Sequence, residues 1–365
     1  MAYIKQLDAL RAIAIFFVLC NHWFGEGRMF YKISTIVSAP DIFFTISGFL
    51  ITAILLKDRI KAEASGNGKG AVLKHFYIKR VLRIFPAYYL TIFITWLADH
   101  NSVPDYSSYL TFTANFDINK NEYWGNMAHL WSMSVEQQFY LCWPFVILFV
   151  PKRFLPYLIL LFITTGIISQ HVNTTREFRF LLPQTCLDAL GLGALLAWVV
   201  VLKNKFLPFF LNILSCLCIL ALLLIILDVY GKYSFYLNHR TLIAIIISWA
   251  IAYFVLHQND KRNYFLRAFN TKPLLLAGKI SYGIYLYHVV LFTYCYKLID
   301  PLNTLLLFPS FLRTNQYFLI SENLLVVIAI AWLSWKFFEL PVSNLKRYFK
   351  PQKTTPSINE KFQLQ

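Results

Sequence analysis

The sequence predicts an all-α polytopic membrane protein of about ten transmembrane helices with both termini cytoplasmic. Three observations predict it. The 365 residues are 58% hydrophobic and only 14% charged, whereas a soluble domain carries about 25% charged residues. Apolar stretches long enough to span a bilayer recur along the whole chain. The cations between them are asymmetric: 22 Lys and Arg fall in loops on the N-terminal side and 8 on the other. Positive charge is retained on the cytoplasmic side, which orients the chain.

The first span covers residues 7–24, LDALRAIAIFFVLCNHWF, and carries Arg11 and His22. It lacks a small-x-small cleavage site after its apolar run, so it reads as a retained span and not a removed signal peptide. A cation and an imidazole in a membrane helix usually face a protein interior or a water-filled cavity. Eleven residues at 100° and 1.5 Å each return to nearly the same helix face, roughly 16 Å further on. Arg11 therefore lies near the cytoplasmic surface and His22 in the outer half.

The second span, 40–56, runs back inward and opens with Asp41 after Pro40. Asp41 starts at the depth of His22, where a carboxylate can orient an imidazole. It can equally be a helix N-terminal residue favoured by the dipole, and the two roles are compatible. The linker 57–83 contains SGNGKG, a flexible turn without the Ser or Thr of a phosphate loop. The third span, 84–98, is preceded by Arg80 and Arg83. Three residues apart, they share a helix face and can form a guanidinium pair for phosphate. By spacing alone they are also ordinary anchors snorkelling to headgroups.

The outer linker 99–128 carries Tyr123 and Trp124, which can stack on sugars or belong to an aromatic belt. The fourth span, 129–150, places Ser132, Glu136 and Tyr140 in one stripe. A carboxylate at that depth needs a polar partner. Four apolar spans follow at 154–171, 185–202, 206–229 and 241–257. The ninth, 274–297, aligns Ser281, Tyr285 and His288 on one face, and the tenth covers 318–340. Residues 1–345 form one integral-membrane domain, and the polar tail 346–365 is expected to be disordered.

Together these spans bring His22, Asp41, Glu136 and His288 to similar depth, with Ser132 and Tyr285 as candidate cavity-lining residues. The arginines gather on the cytoplasmic side. The pattern predicts a polar cavity crossing the bundle. The net charge of +16 is spread over short loops, which excludes a nucleic-acid domain. The six cysteines lie in apolar segments with no C-x-x-C pair, so no metal or haem site is expected. No internal repeat or matched pair of Gly/Pro-broken spans marks a transporter.

Five segments resemble the membrane-bound acyltransferase family 3, which includes bacterial O-antigen and exopolysaccharide O-acetyltransferases. They are Arg11 to His22, DIFFTISGFLIT from Asp41, the R-x-x-R of KRVLRIFP, HLWSMSVEQQFYLCWP from His129, and SYGIYLYH ending at His288. Glu339 to Pro341, ELP, closes the last span. Two departures are local: Gln137 follows Glu136 where the family often has a second Glu, and Ala39–Pro40 replace Gly-Val before Asp41.

The resemblance implies transfer of an acyl group, usually acetyl from acyl-CoA, to a hydroxyl of a glycan or lipid-linked glycan in the bacterial cytoplasmic (inner) membrane. Acyl-CoA is then a donor substrate, with no permanently bound cofactor. His22 maps to the family's catalytic His, Asp41 and Glu136 to its carboxylates, and Arg11, Arg80 and Arg83 to its basic residues. The arginines would hold acyl-CoA. His22 would take a proton from the acceptor or carry the acyl group itself. A transporter or exporter of an acyl or glycolipid substrate is the alternative reading, and a structural partner in glycan assembly is a third.

Overall fold

The computed structural model describes residues 3–66, 68–99, 101, 103, 105–172, 177–231, 237–258, 260, 262–306 and 308–349. The first four residues of the tail expected to be disordered, 346–349, are instead in a short 3-10 helix, Leu345–Phe349; the rest of that tail lies outside the described residues, as do Arg176, Lys232 and Lys261 of the cation count. Among the described residues the chain is helical throughout, with no β-strand.

In order, the helices are α1 (Gln6–Trp23), α2 (Met29–Ile36), α3 (Ala39–Ala64), α4 (Lys69–Ala98), α5 (Tyr106–Leu110), α6 (Ala114–Asn121), α7 (Trp131–Phe149) and α8 (Leu155–His171). Then come α9 (Leu187–Leu202), α10 (Leu207–Gly231), α11 (His239–His257), α12 (Tyr264–Ala268), α13 (Lys272–Leu305), α14 (Ser310–Arg313), α15 (Gln316–Ser334) and α16 (Leu340–Asn344). A helix occupies each of the ten stretches expected to span. Among the described residues, seven segments are long and apolar enough to cross a membrane: those containing α3, α4, α9, α10, α11, α13 and α15. Helix α8 is apolar but shorter, at 17 residues. Helices α1 and α7 fall outside this set and carry several of the polar residues described below.

The inner linker differs from expectation. Helix α3 continues to Ala64 and α4 already begins at Lys69, so most of residues 57–83 is helical. Of the SGNGKG stretch, Ser65 and Gly66 form a turn after α3, and Lys69 and Gly70 already belong to α4. Charged residues extend both helices beyond their apolar runs, and Arg59 pairs with Glu63 at 2.9 Å one turn on. Arg80 and Arg83 consequently lie inside α4.

Helix α3 is the hub. It packs on α1, α4, α7, α9 and α11. Its crossing with α9 is very close because two glycines meet the opposing backbone. A Cβ at Gly193 would overlap the Thr45 carbonyl, and one at Gly48 would overlap that of Leu190. Small residues permit such approach where lipid supplies no hydrophobic drive between helices. The buried Arg59 donates to the carbonyls of Ile147 and Val150 at 2.6 and 2.7 Å. It thereby satisfies the C-terminal end of α7, where a cation also opposes the helix dipole.

The outer linker is anchored from below. Tyr88 of α4 donates to the Tyr109 carbonyl at 2.8 Å, and its ring stacks on Phe112 at 4.4 Å. Gln138 of α7 donates to the Phe112 carbonyl at 2.8 Å. These contacts hold Phe112 in a left-handed backbone conformation, φ 56°, which bulky residues rarely adopt. Helix α10 lies at the periphery with Phe209, Ile219, Leu220 and Leu223 exposed. An apolar face of that extent suits a lipid environment.

Candidate active site

Three cavities lie in series along α1. The proximal one, near the N-terminal end of α1, has a volume of about 700 Å³. Its charged lining is Arg11, Lys57, Lys61, Lys79, Arg80, Arg83 and Lys279 against only Asp8 and Asp58. Such an excess of fixed positive charge favours polyanions. Arg11 pairs with Asp8 at 2.9 Å. The Arg80 guanidinium lies over the rings of Phe76 and Tyr140, at 5.5 and 5.6 Å. Its Nε has no partner. Arg83, one turn on, is exposed into the same space. The structure thus brings together all three arginines singled out from sequence.

The middle cavity is a waist of about 120 Å³. Arg11, Arg80 and Arg83 line it from the proximal side, and its polar surface also includes Glu136, Ser47, Tyr140, Ser132, Tyr285 and Lys279. Ser47 of α3 donates to Glu136, and Tyr140 donates to Ser47 at 3.1 Å. The partner required for the Glu136 carboxylate is therefore a hydroxyl chain, with the arginines nearby and none within ion-pair distance. Ser132 and Tyr285 share a 2.7 Å hydrogen bond, and Tyr285 also donates to the His129 carbonyl.

Tyr285 also lines the distal cavity, which holds about 470 Å³ near the C-terminal end of α1. His22 opens into this space with no side-chain hydrogen bond. Asn21, Ser38, Trp124, Trp131, Phe180 and Arg240 are also in its wall. Trp124 packs against Phe178 and Phe180, with centroids 5.1 and 6.1 Å away. Two more imidazoles are close to His22: His129, which also lines the distal cavity, and the buried His288. His288 is 5.0 Å away between ring centroids and His129 is 6.4 Å away, and those two are 4.9 Å apart. Among the described residues no His, Cys, Asp and Glu groups are arranged to hold a metal ion.

Two expectations change here. Asp41 is fully buried but does not meet His22. Arg240 holds it bidentately, Nε to Oδ2 at 2.8 Å and Nη2 to Oδ1 at 3.0 Å, and Ser38 donates to the same carboxylate. A forked guanidinium matches a buried carboxylate better than an imidazole edge does. His288 is in the wall of none of these three cavities. It is wholly buried, its Nδ1 lies 2.8 Å from the Tyr285 carbonyl, and its Nε2 has no partner.

Sequence reasoning missed Arg240, His129 and Ser47. Arg240 counted only as an outer-loop cation, although an Arg and an Asp at matching ends of two apolar spans are each other's natural partners. His129 opens the fourth span and carried the same signal as His22. Ser47 is one serine among many in apolar helices, and nothing in its spacing distinguishes it.

The sequence profile of the acyltransferase domain matches residues 4–337. The chain belongs to this acyltransferase family. Every residue of the three cavities except Tyr3 lies within the matched region. Relatives of this acyltransferase include the O-acetyltransferase OatA of Staphylococcus aureus strain MRSA252, 27% identical over 400 residues, covering 99% of this chain and 60% of the relative. OatA of strain NCTC 8325 is 27% identical over 388 residues, covering 95% of this chain and 58% of the relative. The chain therefore spans about three-fifths of the length of these curated relatives. No solved structure matches it.

Proposed function

We propose that this protein is an integral-membrane O-acetyltransferase of the bacterial cytoplasmic membrane. It takes an acetyl group from acetyl-CoA at the cytoplasmic face and delivers it to a hydroxyl of a cell-envelope glycan, free or lipid-linked, at the outer face. The observation that carries this reading is the polarity of the cavity series. A basic chamber stands at one end, a histidine chamber at the other, and a narrow waist between them. The names of the O-acetyltransferase relatives support the same reaction.

All ten long helices cross the membrane in this reading, with both termini on the cytoplasmic side where the cations accumulate. Arg80 and Arg83, backed by the lysines of the proximal chamber, hold the CoA phosphates. The thin pantetheine arm passes Arg11 and the Glu136 hydroxyl chain and brings the thioester to Tyr285. His22 takes the proton as the acceptor oxygen forms the new ester bond, or first carries the acetyl group itself. The carbon–sulfur bond breaks, the sulfur takes up the proton held by His22, and CoA leaves as its thiol. Trp124 and Trp131 offer ring faces to the acceptor sugar. Asp41 serves the outer end of the site through Arg240.

The test is the O-acetyl content of envelope glycans, measured by mass spectrometry in cells carrying wild-type protein or His22→Ala at equal membrane level. Loss of at least about a hundredfold, the usual scale of a general base, is expected. Unchanged acetylation would overturn the reading, as would transport of substrate with no covalent product.

A further inference from the structure

With Asp41 held by Arg240, no acidic side chain hydrogen-bonds His22, and a base on an unoriented ring presents either nitrogen. The neighbouring ring offers another solution. A neutral imidazole carries one N–H and one bare lone pair. Nδ1 of His288 faces the Tyr285 carbonyl at 2.8 Å. A carbonyl only accepts, so the His288 proton resides on Nδ1. Its Nε2 is then a bare acceptor, wholly buried and without a partner. A buried acceptor in that condition needs a donor.

Two rings are near enough to supply one, His22 at 5.0 Å and His129 at 4.9 Å between centroids. Both ring nitrogens of His129 are also buried without a partner, so His129 competes with His22 for this acceptor; of the two rings, His22 is the one exposed to the distal cavity and the one whose orientation the reaction above depends on. His22 has no backbone carbonyl on its ring. Two imidazoles sharing one N–H···N bond of about 2.9 Å have centroids about 5 Å apart. The observed separation is therefore compatible with that bond after a small ring rotation. The two rings stand at 66°, edge to face.

We propose that His288, and not a carboxylate, positions His22: its Nε2 accepts one ring N–H of His22 and leaves the other nitrogen bare toward the distal cavity. The inference rests on His22 acting as the base in the reaction above. His288 touches no substrate. It fixes the tautomer and direction of the ring that does.

Two amide substitutions separate this role from packing. His288→Gln places an acceptor oxygen near the position of Nε2 and gives up the Tyr285 contact. His288→Asn keeps a donor for Tyr285 and has nothing at the Nε2 position. The full-length protein in its own membrane is assayed with acetyl-CoA as donor and the host's envelope glycan as acceptor. For His288→Asn the rate at saturating acetyl-CoA should fall about a hundredfold, with the KM for acetyl-CoA within about twofold of wild type. His288→Gln should stay within about tenfold of the wild-type rate. Equal activity of the two variants, or a more active His288→Asn, would overturn the proposal while leaving His22 as base. An active His22→Ala would instead remove the reading on which it rests.

Discussion

Asp41 and Arg240 are 199 residues apart in the chain and meet with both carboxylate oxygens engaged. Their side chains are 0% and 10% exposed. Removing one partner of such a pair leaves an uncompensated buried charge and costs about 3–5 kcal/mol, whereas removing both is far milder. Asp41→Ala should therefore lower the thermal midpoint and the membrane level of the protein, and adding Arg240→Met should restore much of both. A single Asp41→Ala variant that is as stable as wild type yet inactive would place Asp41 in the chemistry instead. This pair also marks the limit of legibility for single residues. Asp41, Arg11, His22 and Glu136 stand out because each is an unfavourable group in an apolar stretch. Their partners do not stand out, because partnership depends on which helices touch and at what height. Depth alone made His22 the nearest candidate for Asp41, and a better-matched guanidinium at the same depth took it.

The helices themselves were legible nearly in full, because hydropathy and length decide them. What periodicity could not supply was their ends and their contacts. Helix α4 begins 15 residues before its expected start, Lys69 against residue 84, since charged residues are good helix formers once outside the apolar layer. The α3–α9 crossing was equally hidden. Gly48 and Gly193 look like two permissive residues in long apolar runs, yet each receives an opposing carbonyl where a methyl group would sit. Gly193→Leu should push α9 off α3 and reduce thermal stability by at least the ~1–3 kcal/mol typical of overpacking. Because α3 also carries Ser47, which holds Glu136, the rate should fall with stability. Normal melting of the purified variant would show that the crossing is not tight.

At the scale of the whole molecule, charge is sorted along one axis. The proximal chamber gathers seven basic side chains and two acids, while the distal one has a single arginine, already paired. Loop cation counts could not indicate the chamber, since they cannot tell a cation facing headgroups from one facing an internal space. Charge-assisted hydrogen bonds contribute about 1.5–3 kcal/mol each. Replacing both Arg80 and Arg83 by Ala should therefore weaken acetyl-CoA binding at least about tenfold. The remaining affinity should depend less on salt than that of wild type. Titration calorimetry at two ionic strengths would check this, and equal affinity would return the pair to a membrane-anchor role.

Tyr285 stands between the waist and the distal chamber, its hydroxyl tied to Ser132 and to the His129 carbonyl. A cytoplasmic membrane stores energy as an ion gradient, and any continuous aqueous thread through it is a short circuit. If the reaction proposed above is correct, a tyrosine tied on both sides would let an acetyl group change compartments while the bilayer stays electrically insulating. In the proposed reaction, a cell would modify its surface from a cytoplasmic donor without discharging the gradient that its other machines consume.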